Sequence, residues 1–243
     1  MITKKKHLLI LGGSSDIGIE VAKAFLKFNW EVTAHFFKNK KKLEELKKSY
    51  KNINLVKFDF LNYNSSSKID KLIKKKFNKK YDSFVNLVGY IDNRGFENTD
   101  LKSILKSLTA NMIIPTLIEK LVVKKMLSQK WGRLLNCSGI GVKFGGGKNS
   151  YNYHLSKHCL EFIPNSYKNW AKKNILINNL RIGVTNTKIH KRMKKNLKIN
   201  ERLKLIPIRR MAEPKEIAKY IVNLTTEKNS FMTGETITVS GGE

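Results

Sequence analysis

Leu8-Leu9-Ile10-Leu11-Gly12-Gly13-Ser14-Ser15-Asp16-Ile17-Gly18 is the stretch whose reading decides the fold. Its four apolar residues form a short run closed by glycines, the pattern of a strand covered on both faces in a parallel sheet. Beyond the glycines, Ile17, Val21, Ala24, Phe25 and Phe28 recur at helical spacing. A strand, a glycine-rich turn and a helix in this order aim free backbone N–H groups and the positive end of a helix at one point, where a phosphate can sit. Glycine serves there to turn the chain tightly and to let a pyrophosphate approach the backbone. Gly12, Ser14, Ser15, Ile17 and Gly18 are therefore candidate cofactor contacts. An ordinary βα turn has the same outline, so the rest of the chain must decide.

Outward from this turn, strands alternate with helices. Glu31–Phe36 reads as a second strand and Lys40–Tyr50 as a helix. The residue ending the second strand of a dinucleotide fold meets the adenosine ribose; an acid there selects NAD, a cation NADP. Phe36-Phe37-Lys38 carries no acid, so Lys38, with Ser15, favours NADP(H), with NAD(H) still possible. A solvated lysine heading a lysine-rich helix is the competing reading of Lys38. Leu55–Phe60 reads as a third strand, in which Asp59 either accepts a bond from the adenine amine or caps the loop beside Phe60. Ser83–Gly89 is a fourth strand, and Asn86 and Gly89 close it where a nucleotide would lie. Leu101–Gln129 is a long helical stretch with a kink expected near Pro115. Arg133–Ser138, Ile175–Arg181 and Thr236–Val239 complete the strands, and a helix is expected from Tyr151 to about Lys173. The alternation predicts one α/β domain over residues 1–243, a doubly wound Rossmann-type parallel sheet of about seven strands with helices on both faces. Residues 185–205, lysine-rich and without strand pattern, suggest a helical lid.

With 243 residues, 41% of them hydrophobic, the chain can bury a sizeable core. Its formal net charge of +29 has two readings, a nucleic-acid footprint or a generally lysine-rich composition. The lysines are scattered over helix surfaces, which favours the second and leaves an acidic or phosphorylated substrate open. The two cysteines, Cys137 and Cys159, lack metal-ligand spacing, and the histidines pair with no carboxylate at such spacing, so no metal is expected. The apolar run near the start is too short for a signal peptide, and no stretch reaches a membrane span. A cytoplasmic protein fits.

Tyr153 and Lys157 stand four residues apart in Tyr151-Asn152-Tyr153-His154-Leu155-Ser156-Lys157. On a helix they share one face. At about 4 Å and an effective dielectric of about 20, a unit charge interacts by about 4 kcal/mol. That would lower the phenol pKa by roughly 3 units at most. Tyr151 has Leu155 at the same spacing, which cannot tune a phenol, so Tyr153 is the candidate acid–base group. Asn111 is either a satisfied core amide or part of a proton path.

Taken in order, Gly12–Gly18, Asn86-Leu87-Val88-Gly89, Asn111, Tyr153-x-x-x-Lys157 and the tail from Arg210-Met211-Ala212-Glu213-Pro214 to Val239-Ser240-Gly241-Gly242 resemble the short-chain dehydrogenase/reductase family over essentially the whole chain. The resemblance implies an oxidoreductase interconverting a ketone and a secondary alcohol. It makes Tyr153 the general acid or base and Lys157 the group that tunes it and bonds the nicotinamide ribose. Asn111 would hold a relay water, and Val184 and Thr187 would contact the cofactor. It also implies a homo-oligomer, a dimer or tetramer. Asn136–Gly146 resembles members of surface-sugar pathways, and a 3-oxoacyl chain on an acyl carrier protein is the alternative substrate.

The chain departs from the family pattern in places. Asp16 replaces a glycine, with helix capping as its suggested role, and Ile182 replaces a proline. Many relatives end the fifth strand with two serines, the second catalytic; here the pair is Ser138-Gly139. Residues 139–152 separate Ser138 from Tyr153, slightly more than is usual, and counting from Gly132 puts Gly139 at the catalytic position. Either Ser138 takes the role after a small shift, or the serine is absent and the chain is a weak enzyme or an inactive dinucleotide-binding or basic binding protein.

Overall fold

The computed structural model describes residues 5–62, 66–188 and 199–243. Seven strands form one parallel sheet: β1 (His7–Leu11), β2 (Glu31–Phe36), β3 (Ile53–Lys57), β4 (Ser83–Asn86), β5 (Gly132–Gly139), β6 (Ile175–Ile182) and β7 (Thr236–Val239). Their order is β3-β2-β1-β4-β5-β6-β7, and every pair is parallel. The order reverses between β1 and β4, the switch point at which doubly wound sheets open a crevice beyond the strand ends.

Strand alternation divides the core in two. Leu8 and Ile10 point to one face, where they pack with α1 (Asp16–Lys27), α2 (Lys41–Ser49) and residues such as Ile217 and Ile221 of the helix Pro214–Thr225. Leu9 and Leu11 point to the other, against α3 (Ser66–Phe77) and the later part of the Leu101–Gln129 stretch. All four are fully buried, each contributing about 1.5–3 kcal/mol by removal from water. This double burial explains why Leu8–Leu11 are all apolar instead of alternating.

Leu101–Gln129 is two helices, α4 (Leu101–Leu108) and α5 (Ile114–Gln129), joined by a π-helical turn at Thr109–Ile113. Pro115 has no N–H to give the carbonyl of Asn111, so the α-helical ladder widens there. The Tyr151 helix is shorter than expected. α6 (Tyr151–Leu160) stops before Pro164, and a short α7 (Tyr167–Ala171) follows. The third strand likewise ends at Lys57, leaving Asp59 and Phe60 in a loop. Of the expected lid, 189–198 lie outside the described residues, as does His190; α8 (Ile199–Lys204) belongs to its later part. α9 (Pro214–Thr225) begins with a capping box made by Glu213 and Glu216.

Candidate active site

The segments that follow β1, β4, β5 and β6 line one cavity of about 1650 Å³ at the switch point. At its β1 side, Ser15 is the N-cap of α1: its Oγ accepts from Gly18 N at 3.0 Å and donates to Gly12 O at 2.8 Å. Gly12 has φ +72°, and a Cβ on it would fall 2.7 Å from Leu87 O. A Cβ on Gly18 would fall 2.8 Å from Gly13 O. Side chains are excluded at both positions, so the bare turn wraps the helix end closely. Gly12, Ser14, Ser15 and Ile17 line the cavity. Gly18 acts from behind.

Asp16 is not the cap. Its Oδ1 accepts from Lys42 Nζ and its Oδ2 from the backbone N–H of Lys188, each at 2.8 Å. Burial opposes its ionisation, but these two donors hold its carboxyl below the usual range. Sequence reading missed His35 as the support of the turn. Its Nδ1 accepts from Gly12 N at 3.1 Å, and its Nε2 donates to Phe58 O at 2.9 Å. Burial pushes its pKa down to about 4, which keeps it neutral as this pairing requires. Phe60 stacks on its ring at 4.5 Å. The nearest signal is a histidine between two apolar residues, Ala34 and Phe36, at the end of β2.

Asp59 and Phe60 both line the cavity; one Asp59 oxygen accepts from Leu61 N at 3.0 Å, the capping role. Phe37, Asn39, Lys41 and Lys42 also line it. Lys38 is not on this wall; its Nζ lies 5.1 Å from the centre of the Phe37 ring. Val184 and Thr187 are on the wall at the β6 side.

Tyr153 stands between two glycines. A Cβ on Gly89 or on Gly139 would lie 3.9 Å from its hydroxyl, so both leave space beside it. Lys157 is buried, and its Nζ donates to Val88 O at 2.6 Å and Cys137 O at 2.7 Å. It therefore ties the ends of β4 and β5 together and stands 6.0 Å from the centre of the Tyr153 ring. Burial pushes the Lys157 ammonium down to about 8 and the Tyr153 phenol up to about 12. The lowered phenol expected from the four-residue spacing is not found, because desolvation outweighs an ammonium already committed to two carbonyls.

Behind Lys157 a hydrogen-bonded chain crosses the sheet. Val88 N donates to Asn86 Oδ1 at 3.1 Å, Asn86 Nδ2 to Asn136 Oδ1 at 3.2 Å, and Asn136 Nδ2 to Glu119 Oε2 at 2.7 Å. Asn86 thus shapes the cavity through the backbone of Val88 and does not itself line it. Asn111 is fully buried; its Oδ1 accepts from Tyr90 N at 2.6 Å, and its Nδ2 donates to Tyr90 O and Ser156 Oγ, each at 2.9 Å. Its side chain is a satisfied core amide that fastens α6 to the segment after β4.

Ser138 and Gly139 face opposite ways, as neighbours on a strand must. Ser138 Oγ donates to Glu161 Oε1 at 2.5 Å. Arg181 grips the same carboxylate from Nε at 2.8 Å and Nη2 at 2.6 Å. The residue set against the Tyr153 hydroxyl is Gly139. Ser138 lines the cavity as expected, but its hydroxyl is engaged by Glu161, and Gly139 is the residue set against Tyr153. Glu161 and Arg181 are distant in sequence and gave no motif to find.

This fold and site have known counterparts. A family model described as Enoyl-(Acyl carrier protein) reductase matches residues 12–243, and the chain belongs to the short-chain dehydrogenase/reductase family of oxidoreductases. It is similar to a 3-oxoacyl-[acyl-carrier-protein] reductase FabG of Aquifex aeolicus, 31% identical over 70% of this chain and 73% of that protein. An acetoacetyl-CoA reductase of an Acinetobacter species is 25% identical over 99% of this chain and 98% of its own length. Among solved structures, ElxO with NADP bound superposes with a TM-score of 0.84 at 26% identity, covering 98% of each chain. Among the described residues, no helix is long and apolar enough to cross a membrane, and no group of three or more His, Cys, Asp or Glu could hold a metal ion.

Proposed function

We propose that this chain is an NADP(H)-dependent reductase of a small carbonyl compound, with Tyr153 moving the proton. The observation that carries the reading is the single cavity joining the Gly12–Ile17 turn to Tyr153 across the switch point. The turn fits a dinucleotide, because Gly12, Ser14, Ser15 and Ile17 line the cavity at the start of α1, in a turn too tight for side chains at Gly12 and Gly18. Gly12, Ser14, Ser15 and Ile17 would hold its phosphates, Asp59 and Phe60 its adenine side, and Val184 and Thr187 its nicotinamide side. When bound, the cofactor supplies a hydride. Tyr153 donates its phenolic proton to the carbonyl oxygen. A phenol pushed up to about 12 stays protonated at neutral pH, the form that reduction needs. Lys157, anchored by Val88 and Cys137, keeps β4 and β5 in register around the reacting centre. Gly139 offers no hydroxyl beside Tyr153, so this site works without a side-chain donor from the end of β5.

The NADP-bound structure of ElxO and the absence of an acid at the end of β2 support the phosphorylated cofactor. A 3-oxoacyl thioester is a second substrate reading, favoured by the names of the curated relatives. We also read residues 1–243 as one catalytic domain of a cytoplasmic homo-oligomer; Thr187, Lys188, Arg202 and Leu205 line the cavity and support a lid over it. The test is NADPH oxidation by purified protein against a panel of ketones and an acetoacetyl thioester. Tyr153→Phe should lower kcat at least about a hundredfold, as expected for loss of a positioned acid, while NADPH still binds. Unchanged turnover would reject the mechanism.

A further inference from the structure

One polar side chain beside Tyr153 is left unused by this mechanism. His154 lines the cavity, with its ring centre 4.9 Å from that of Tyr153. Its Nδ1 lies 2.9 Å from Ser150 O. A carbonyl only accepts, so Nδ1 carries the proton and the neutral ring presents Nε2 as a bare acceptor. Burial lowers the imidazole pKa and favours that neutral form. Nε2 makes no hydrogen bond among the described residues, and it is not among the unpartnered atoms sealed from solvent.

The ring is held in a niche that only glycines permit. A Cβ on Gly146 would fall 2.9 Å from Nδ1, and one on Gly141 would collide first with Nε2 itself and fall 2.7 Å from Cδ2 and 2.9 Å from Cε1, so Nε2 stays open to a ligand only because residue 141 has no side chain. Gly146 N also donates to Gly141 O at 2.8 Å and closes the loop around it. The glycine-rich segment after β5 is thereby explained as the cradle of one imidazole with a fixed tautomer.

We propose that His154 is a specificity-determining residue whose Nε2 accepts a hydrogen bond from a hydroxyl next to the reacting carbonyl, so that the preferred substrate is a hydroxylated ketone. The inference rests on the reductase reading above and names the substrate class of that site. A ketone with a methyl group in place of the hydroxyl leaves Nε2 desolvated and unpaired, which is the stronger source of discrimination. A 3-oxoacyl chain has no donor beside its keto group and is disfavoured on the same ground.

The experiment compares 1-hydroxy-2-butanone with 3-pentanone as NADPH-dependent substrates of the wild type, His154→Phe and His154→Gln. The wild type should favour the hydroxyketone by about ten- to a hundredfold in kcat/KM, as for a site built to pair a substrate hydroxyl. His154→Phe should bring the ratio near unity, and His154→Gln, which can still accept, should restore part of it. The same ratio in the wild type and His154→Phe would overturn the proposal. Failure of the wild type on every ketone would instead reject the reductase reading. In that event, or if the variants do not fold, the ¹⁵N resonance of His154 Nε2 in the wild type decides. It should shift when 1-hydroxy-2-butanone is added with NADP⁺ and stay still with 3-pentanone; no difference between the two ketones would also overturn the proposal.

Discussion

Glu119→Gln tests the energetics of the chain that runs behind Lys157. Glu119 is on α5, 8% exposed, and accepts from Asn136 Nδ2 at 2.7 Å. Burial pushes its carboxyl from 4.5 up to about 7, although the Asn136 bond pulls the other way. A folded-state pKa raised in this way means that the native state keeps its proton while the unfolded chain has already released it. The stabilisation is full below the unfolded value of 4.5 and is lost as the pH rises to about 7. At about 1.36 kcal/mol per unit, the loss comes to about 3 kcal/mol. The glutamine carbonyl still accepts from Asn136, but the group does not titrate. Urea unfolding of both proteins at about pH 4 and about pH 8 gives the test. The stability of Glu119→Gln relative to wild type should rise by about 3 kcal/mol between these pH values. Any fixed cost of the new amide cancels in that difference. Parallel curves for the two proteins would show that Glu119 ionises in the native state as easily as in the unfolded one, and would refute the argument from burial.

Two further substitutions probe the cavity. Gly139→Ser places a Cβ 3.9 Å from the Tyr153 hydroxyl on an extended backbone, so it should add a second donor and raise kcat for ketone reduction about tenfold, below the usual worth of a preorganised donor; an unchanged kcat in a folded variant would show that the site has no use for one. Lys41 lines the cavity and Lys38 does not, so Lys41→Asp should weaken NADPH binding more than NADH binding, measured by fluorescence titration, and more than Lys38→Asp does; the larger effect at Lys38 would return the phosphate contact to the residue picked out by sequence.

The parts of the fold that could be read ahead of the structure are those in which one short run carries both cause and effect. Leu8–Leu11 is apolar throughout because helices cover both faces of the sheet, and the Gly12–Gly18 turn is bare because Leu87 and the turn's own carbonyls press on it. Pro115 marked an irregular turn correctly. Pro164 has the same power, and α6 ends at Leu160 ahead of it, short of the Lys173 expected from the sequence. Lys38 was placed at the nucleotide by its position in the chain, but α2 begins three residues later and turns Lys41 and Lys42 to the wall.

The residues that could not be read are those whose direction is set from elsewhere. Ser138 and Gly139 are adjacent, and a shift of one residue along a strand exchanges the faces they meet. Counting spacings to Tyr153 cannot settle such a phase, because the glycine-rich segment between them can absorb a residue. The phase seen here leaves Ser138 on the cavity wall with its hydroxyl bound to Glu161, which Arg181 holds in turn, and sets Gly139 against Tyr153. The same limit applies to Tyr153 and Lys157. Their spacing placed them on one helix, but Val88 and Cys137, on two other segments, decide where the ammonium goes. A four-residue motif therefore located the chemistry, whereas its electrostatics had to come from the strands that pack against it. For the same reason nothing in the sequence of the glycine-rich segment points to the contacts of Gly141 and Gly146 with the imidazole of His154.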